Sequence, residues 1–303
     1  KGHMTLVDAP ARHNLLAQLD GYHARQTGGG SAGNTVVAFA QFGGSAFYSC
    51  RVADDALGHF YADDLHTNGV DSNLTQPHQG LATGATTGSC LVLVTPDAER
   101  TMCTYLGTTA DLDEKALNLD AIASAGVYYM EGYLAASQTG LAAAMAGRAH
   151  AVANQVPLAL TLSDVSMINF CRAGLDAMLG DGVDYLFCNE EEAQVWCGTS
   201  DLLGITQTMG TLAKTVCLTR GAKGTLVIQG DQVQDVPGFP IKALDANGAG
   251  DMFAGAFLFG ISQNMTVGQA ASLANKAAAA VVAQYGNRLT REKVQAILAS
   301  TTA

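Results

Sequence analysis

The sequence predicts an α/β fold in which a mostly parallel central sheet is covered by helices on both faces, with a small antiparallel sheet set apart from it. Three observations carry that expectation. From Gly126 onward, short apolar runs alternate with helical patterns, the order of βαβ units in a parallel sheet. The stretch Ser89–Leu106 instead alternates residue by residue around a Pro96-Asp97-Ala98 turn, as an antiparallel hairpin does. The chain of 303 residues is 48% hydrophobic and 14% charged, with mean hydropathy +0.15, enough to bury the core of one large domain.

In chain order, the first element is a glycine-rich loop, Gly28-Gly29-Gly30-Ser31-Ala32-Gly33-Asn34, that opens a helix running through Ala40. The hairpin follows, Ser89–Thr95 against Glu99–Leu106. With one wet face it reads as a lid or a dimer surface. Strands are then expected at Gly126–Met130, Val156–Leu162, Asp184–Cys188 and Thr215–Thr219. Between them lie helices at Ser137–Asn154, Arg172–Leu179, Glu190–Cys197 and Asp201–Ala213. Two short strands, Thr225–Ile228 and Gln232–Val236, precede two strongly apolar helices near Ala249–Ser262 and Thr266–Gln284, and a last helix spans about Arg291–Ala299. No internal repeat or low-complexity linker divides the chain, so one domain is expected.

Charge and cysteine content exclude several classes. Sixteen Lys and Arg against 27 Asp and Glu leave a net charge of −11, and no basic run exists to bind a phosphate backbone, so neither nucleic acid nor an anionic membrane is an expected partner. The seven cysteines, with no CxxC pair, read as thiols in a reducing, cytoplasmic compartment. The longest apolar stretches, Val156–Leu162 and Ala277–Ala283, are too short to cross a bilayer.

Two glycine clusters carry the chemistry. Gly28, Gly30 and Gly33 spell a dinucleotide fingerprint, with Asp54 or Asp55 at the spacing of a ribose-binding acid, but Asp20–Thr27 contains no Val, Ile or Leu and so no buried strand to precede it. Gly29-x-Ser31-x-Gly33 also spells a nucleophile elbow, yet the last histidine is His150, so no late-chain His completes a triad. What remains is a loop whose exposed backbone, with the Asn34 amide, suits a hydroxyl-rich ligand; the alternative is Asn34 in helix-start packing. The second cluster, Asp245-Ala246-Asn247-Gly248-Ala249-Gly250-Asp251, runs into an apolar helix and leaves N–H groups open at its N-terminus, which makes an anion site. Asp251 is there either a helix cap or a general base for a hydroxyl attacking a phosphoryl group. Walker A is excluded by the lack of any Gly-Lys dipeptide.

The two clusters, in their order and separation, resemble the PfkB (ribokinase-like) family of carbohydrate and nucleoside kinases, over nearly the whole chain. The resemblance implies a ribokinase-like three-layer sandwich, residues 1–303 forming one domain with a small β lid built from about 1–30 and 80–108. It implies that Gly29, Gly30, Asn34 and Glu131 bind substrate, that Asp251 is the catalytic base, also touching substrate, and that Gly248, Ala249 and Gly250 form the anion hole. Asn189-Glu190-Glu191-Glu192 is similar to the N-x-x-E motif, which places Asn189 near ATP and Glu192 in the water shell of Mg²⁺. Thr219, Gly221 and Gly224 fall where the family contacts the nucleotide, Gly250 also meets its phosphates, and Asn275 falls at the adenine pocket. Asp245 falls at a monovalent-cation loop, where K⁺ is the implied ion.

Two departures stand out. Ala246 occupies the place of the family's usual Thr, removing a hydroxyl contact. Family members also begin with a strand carrying a substrate-binding Asp, and Lys1–Asp8 itself resembles native family sequence, so the expectation is that this strand precedes Lys1. The implied function is an ATP-dependent kinase acting on a primary hydroxyl of a nucleoside or sugar, most like the bacterial adenosine-kinase-like branch, as a monomer or homodimer. The alternatives are a ribose, fructose or fructose-phosphate kinase, or a non-catalytic sugar- or nucleoside-binding protein on the same fold.

Overall fold

The computed structural model describes residues 4–19, 21–22, 25–74, 81–94 and 100–302. Its strands in chain order are β1 (Met4–Leu6), β2 (Ala46–Tyr48), β3 (Val70–Ser72), β4 (Ser89–Val94), β5 (Arg100–Tyr105), β6 (Tyr128–Glu131), β7 (Leu158–Thr161), β8 (Val183–Asn189), β9 (Ala213–Thr219), β10 (Thr225–Gln229) and β11 (Gln232–Val236). They form a six-stranded sheet of order β11-β10-β9-β8-β7-β6, a three-stranded sheet of order β1-β5-β4, and a parallel β2-β3 pair. In the large sheet β6 to β9 are parallel, and β10 runs antiparallel to both its neighbours.

Strict alternation along the central strands explains the three layers. Leu158, Leu160, Leu186, Cys188, Val216, Leu218, Leu226 and Ile228 enter one core with the helices Gln138–Ala153, Arg172–Leu179, Glu190–Cys197 and Leu202–Met209. The intervening Ala159, Phe187, Cys217 and Val227 enter the other, against the helices Ser31–Phe42, Ala249–Ser262 and Val267–Val282. Side chains two apart share a face, so each strand serves both cores.

Helix ends follow local chemistry. Ser137, Asn189, Asp201 and Thr266 each accept a backbone N–H at a helix start, and at Asn189 and Thr266 a Glu or Gln three residues on completes a capping box. Most bounds shift by one to three residues, and the largest difference is the helix after Asp201, which stops at Met209, with Ala213 already the first residue of β9. The Gly210 N–H closes the last turn on the Thr206 carbonyl, and Val183 N–H pairs with Leu212, which commits the chain to the sheet earlier than periodicity suggested.

The hairpin forms as expected, Leu91 opposite Cys103 and Val92 opposite Met102, and β1 adds a parallel edge to β5. Its Pro96-Asp97-Ala98 tip lies outside the described residues. Helix Ala9–Gln18 is tied to this small sheet by Arg12, whose guanidinium lies 5.7 Å from the Tyr105 ring centre and whose Nε donates to Ser89 Oγ at 2.7 Å.

Candidate active site

The parallel strands β6, β8 and β9 end at Glu131, Asn189 and Thr219, which places these residues along one edge of the sheet, where open α/β sheets take their ligands. The two glycine clusters meet in front of that edge because two helices pack unusually closely. A Cβ at Gly255 would collide with the Thr35 carbonyl and the Ala38 methyl. Glycine at that position lets helix Ala249–Ser262 rest directly on helix Ser31–Phe42.

Asp251, the third residue of helix Ala249–Ser262, is not its cap. Gly248 occupies the N-cap position at φ +78°, and no side chain caps the helix. The Asp251 carboxylate instead reaches the other helix: Oδ1 accepts from Ser31 Oγ at 2.7 Å and Oδ2 from Asn34 Nδ2 at 2.8 Å. Burial pushes its pKa up to about 6, against the lowering effect of those two donors and of the Arg288 charge. Beside it, Ala249 N–H bonds weakly to the Ala246 carbonyl at 3.3 Å, while the N–H groups of Gly248, Gly250 and Asp251 have no acceptor among the described residues. These N–H groups lie open at the positive end of the helix, where an anion would be favoured.

Glu131 sits opposite. Its Oε2 accepts the Ala32 N–H at 2.6 Å and so shapes the glycine loop, while Oε1 has no donor among the described residues. Burial raises its pKa to about 7, the Ala32 bond opposes this, and the negative charge of Asp251 adds to it. Gly29 and Gly30 lie just before the helix. The Gly29 carbonyl accepts from Tyr61 Oη at 2.9 Å, and Gly30, at φ +84°, turns the chain into the helix.

At the end of β8, Asn189 and Glu192 are locked to each other. Asn189 Nδ2 donates to Glu192 Oε1 at 2.6 Å, Asn189 N–H to Oε2 at 3.1 Å, and Glu192 N–H returns to Asn189 Oδ1 at 2.8 Å. Glu192 is pushed up to about 7, chiefly by burial, with the negative charges of Asp164 and Glu191 adding to it and the Asn189 N–H opposing it. Thr219 Oγ1 donates to the Cys188 carbonyl at 3.4 Å, and the following loop carries Gly221 and Gly224 at positive φ and is closed by Arg220 N–H on the Gly224 carbonyl. Lys223 of this loop pairs with Glu190 at 3.4 Å.

Three expectations are modified by these contacts. Asn34 was expected to offer a bidentate amide to substrate, but its Oδ1 already accepts from Asn287 Nδ2 and Arg288 Nε, both at 2.9 Å. Asn275 is buried, and its amide accepts from Thr225 Oγ1 and donates to the Val236 and Pro237 carbonyls, so it braces the wall instead of presenting free polar atoms. Asp245 clamps two loops, Oδ1 accepting from Asn247 N–H and Oδ2 from Gly286 N–H.

Sequence reading missed Ser31, Asp164, Asn287, Arg288 and Asp64. Asp164 stands just past the end of β7, a position the topology rule could have flagged. Asn287 and Arg288 lie in coil between two helices, with no local pattern to reveal them.

A buried carboxylate beside open helix N-terminal N–H groups and a glycine-rich loop, on the edge of an open α/β sheet, suits phosphoryl transfer to an alcohol, and the family match makes the chain a phosphotransferase of that class. The chain belongs to the family described as pfkB family carbohydrate kinase, which it matches over residues 12–293. The fold is similar to the crystal structure of adenosine kinase from Sinorhizobium meliloti, with TM-score 0.90 and 31% identity over 100% of this chain and 91% of that one. Among curated proteins it is 27% identical to an adenosine kinase of Schizophyllum commune, over 83% of this chain and 77% of that protein. It is also 27% identical to fructokinase-2 of Solanum lycopersicum, over 79% and 74%.

Proposed function

We propose that this kinase transfers the terminal phosphoryl group of ATP to a primary hydroxyl of a nucleoside, adenosine first among them, with Asp251 as the base. The observation that carries this is the state of Asp251. A capping aspartate would turn back onto its own helix, whereas this one is aimed across to Ser31 and Asn34 and borders N–H groups left open for an anion. A carboxylate with pKa about 6 is ionised at neutral pH and more basic than an ordinary aspartate, which suits it to accept the hydroxyl proton as attack proceeds. The Gly248, Gly250 and Asp251 amides then hold the charge on the transferred group, and Glu131 Oε1 and the Gly29–Gly30 backbone hold the substrate hydroxyls.

Asn189, Thr219, Gly221 and Gly224 are assigned to the nucleotide. Among the described residues no cluster of three or more His, Cys, Asp or Glu could cage a metal, yet Glu192 is a buried carboxylate beside Asp164, a donor set that fits the water shell of Mg²⁺. When bound, Mg²⁺ supplies charge neutralisation at the phosphates. Asp245 is the proposed contact of a monovalent cation: each of its oxygens accepts a backbone N–H, and a carboxylate oxygen has lone pairs for more than one partner. The small sheet β1-β5-β4 with helix Ala9–Gln18 is proposed as the lid over the substrate. The seven free thiols suit a reducing, cytoplasmic setting, and among the described residues no helix is long and apolar enough to cross a membrane.

The second reading, a sugar kinase, is favoured by the similarity to fructokinase-2. ADP release measured over adenosine, other nucleosides, ribose, fructose and fructose phosphates decides between them. Adenosine turning over with the highest kcat/KM supports the proposal, a sugar doing so replaces it, and binding of any of them without ADP release leaves the non-catalytic reading.

A further inference from the structure

Resting on the reading of Asp251 as base, we infer that Arg288 is a positioning residue for it: anchored on Asp64, Arg288 sets the Asn34 amide so that its N–H, and not its oxygen, meets the Asp251 carboxylate. Four side chains form a continuous line. The Asp64 carboxylate accepts from Arg288 Nη1, Arg288 Nε donates to Asn34 Oδ1 at 2.9 Å, and Asn34 Nδ2 donates to Asp251 Oδ2 at 2.8 Å. Asn287 Nδ2 adds a second donor to Asn34 Oδ1 at 2.9 Å and ties itself to the Gly28 carbonyl at 3.0 Å.

The chemistry of the neighbours dictates the amide's orientation. A guanidinium can only donate and an ionised carboxylate can only accept, so one flip of Asn34 satisfies all three partners and the other sets two donors against its NH₂ and its oxygen against a carboxylate. Without Arg288 the preference rests on the Asn287 contact and on Asp251 itself, and Asn34 Oδ1 loses the one partner that can only donate. The requirement is specific to arginine, because only the guanidinium fork serves Asn34 and Asp64 from two different nitrogens at once.

Burial marks the residue as more than a surface strap. The Arg288 side chain is 11% exposed, and its Nη2 is buried with no hydrogen-bond partner, an unsatisfied donor of the kind native proteins seldom keep without a use. There is also no slack around it, since a Cβ at Gly28 would run into both the Asp64 carboxylate and the guanidinium. Arg288 does not touch Asp251; Asn34 stands between them, so its influence passes through the amide and through its charge. The other groups facing Asp251 are Ser31 and Asn34 from helix Ser31–Phe42, Tyr129 and Glu131 from β6, and Tyr133 just beyond it. Glu131 is the acidic member of that set, and Arg288 is the cation that opposes it.

The test is a mutant cycle in the full chain. Arg288→Met is paired with Asp64→Asn, so that no carboxylate is left buried alone, and the pair is made in the wild type and in Asn34→Ala. Expected for the pair in the wild type are a kcat lowered roughly 10- to 100-fold, an ATP KM within about threefold, and an acid limb of kcat/KM displaced to higher pH by about half a unit or more. In the Asn34→Ala background the pair should lower kcat by no more than about twofold, because the route is already cut. Arg288→Lys keeps the charge and loses the fork, so kcat falls while the acid limb stays, and this variant carries the test if the pair does not fold. Equal losses in both backgrounds, or an unmoved acid limb with full kcat in the pair, overturn the inference. Asp251→Asn is run beside them. If it retains a third of wild-type turnover the base reading itself fails, whereas an inactive Asp251→Asn with a normal Arg288 pair removes only the positioning role.

Discussion

Replacing Asp251 by Asn should make the protein markedly less active and more stable at once. The carboxylate is pushed from 3.8 to about 6, chiefly by burial, so above pH 6 the folded protein carries a charge that the unfolded chain accommodates more readily. The shift of about two units corresponds to roughly 3 kcal/mol as an upper bound. Because the folded state holds the proton more tightly, the wild type loses this stability as pH rises from 3.8 to about 6, and Asp251→Asn does not. At pH 8 the variant should therefore melt higher, by up to about 6 °C at ~2 °C per kcal/mol for a domain of this size, with the gap closing toward pH 4. The amide keeps its oxygen toward Asn34, and the Ser31 hydroxyl can rotate to accept, so the site survives. It cannot take the substrate proton, and turnover should drop by roughly 10²- to 10⁴-fold with ATP affinity within a few fold. Thermal unfolding at several pH values and coupled ADP release measure both effects. A variant that is active, or one that melts lower at pH 8, refutes the assignment of a desolvated base.

Asn34→Ala should lower kcat as well as raise the substrate KM, by ~10-fold or more, because the amide bonds the base directly; a pure KM effect in steady-state kinetics would restore Asn34 as a simple substrate ligand. The acid limb of kcat/KM should rise between pH 6 and 7, where Asp251 and Glu131 lose their protons as a coupled pair, and Glu131→Gln should move it to lower pH by removing a negative neighbour. Gly255→Ala should separate the two site helices, costing about 1–3 kcal/mol and most of the activity, as read by urea denaturation and ADP release. Amide exchange across 89–94 and 100–106 should slow when adenosine binds if the small sheet closes as a lid, and identical strong protection in both states would assign it to a fixed edge.

Element positions were largely legible in the amino-acid order, because strand alternation, helix caps and glycine stops are local. Arg172–Leu179, Glu190–Cys197 and Ala249–Ser262 fall where the pattern puts them, the second started by the Asn189–Glu192 capping box and the other two set by the apolar spacing within their own few turns. The two glycine clusters likewise announce an anion hole and a polar loop, since open N–H groups follow from residue type alone. What local order could not decide was where the Asp251 carboxylate points, onto its own helix as a cap or away from it. That choice rests on donors 217 and 220 residues away, brought close only because Gly255 lets two helices touch. The same holds for Arg288, 254 residues from the amide it orients and set in coil with no periodicity of its own. Local propensity fixes where the backbone turns, but the charge state and orientation of a buried side chain depend on the groups that tertiary packing places around it.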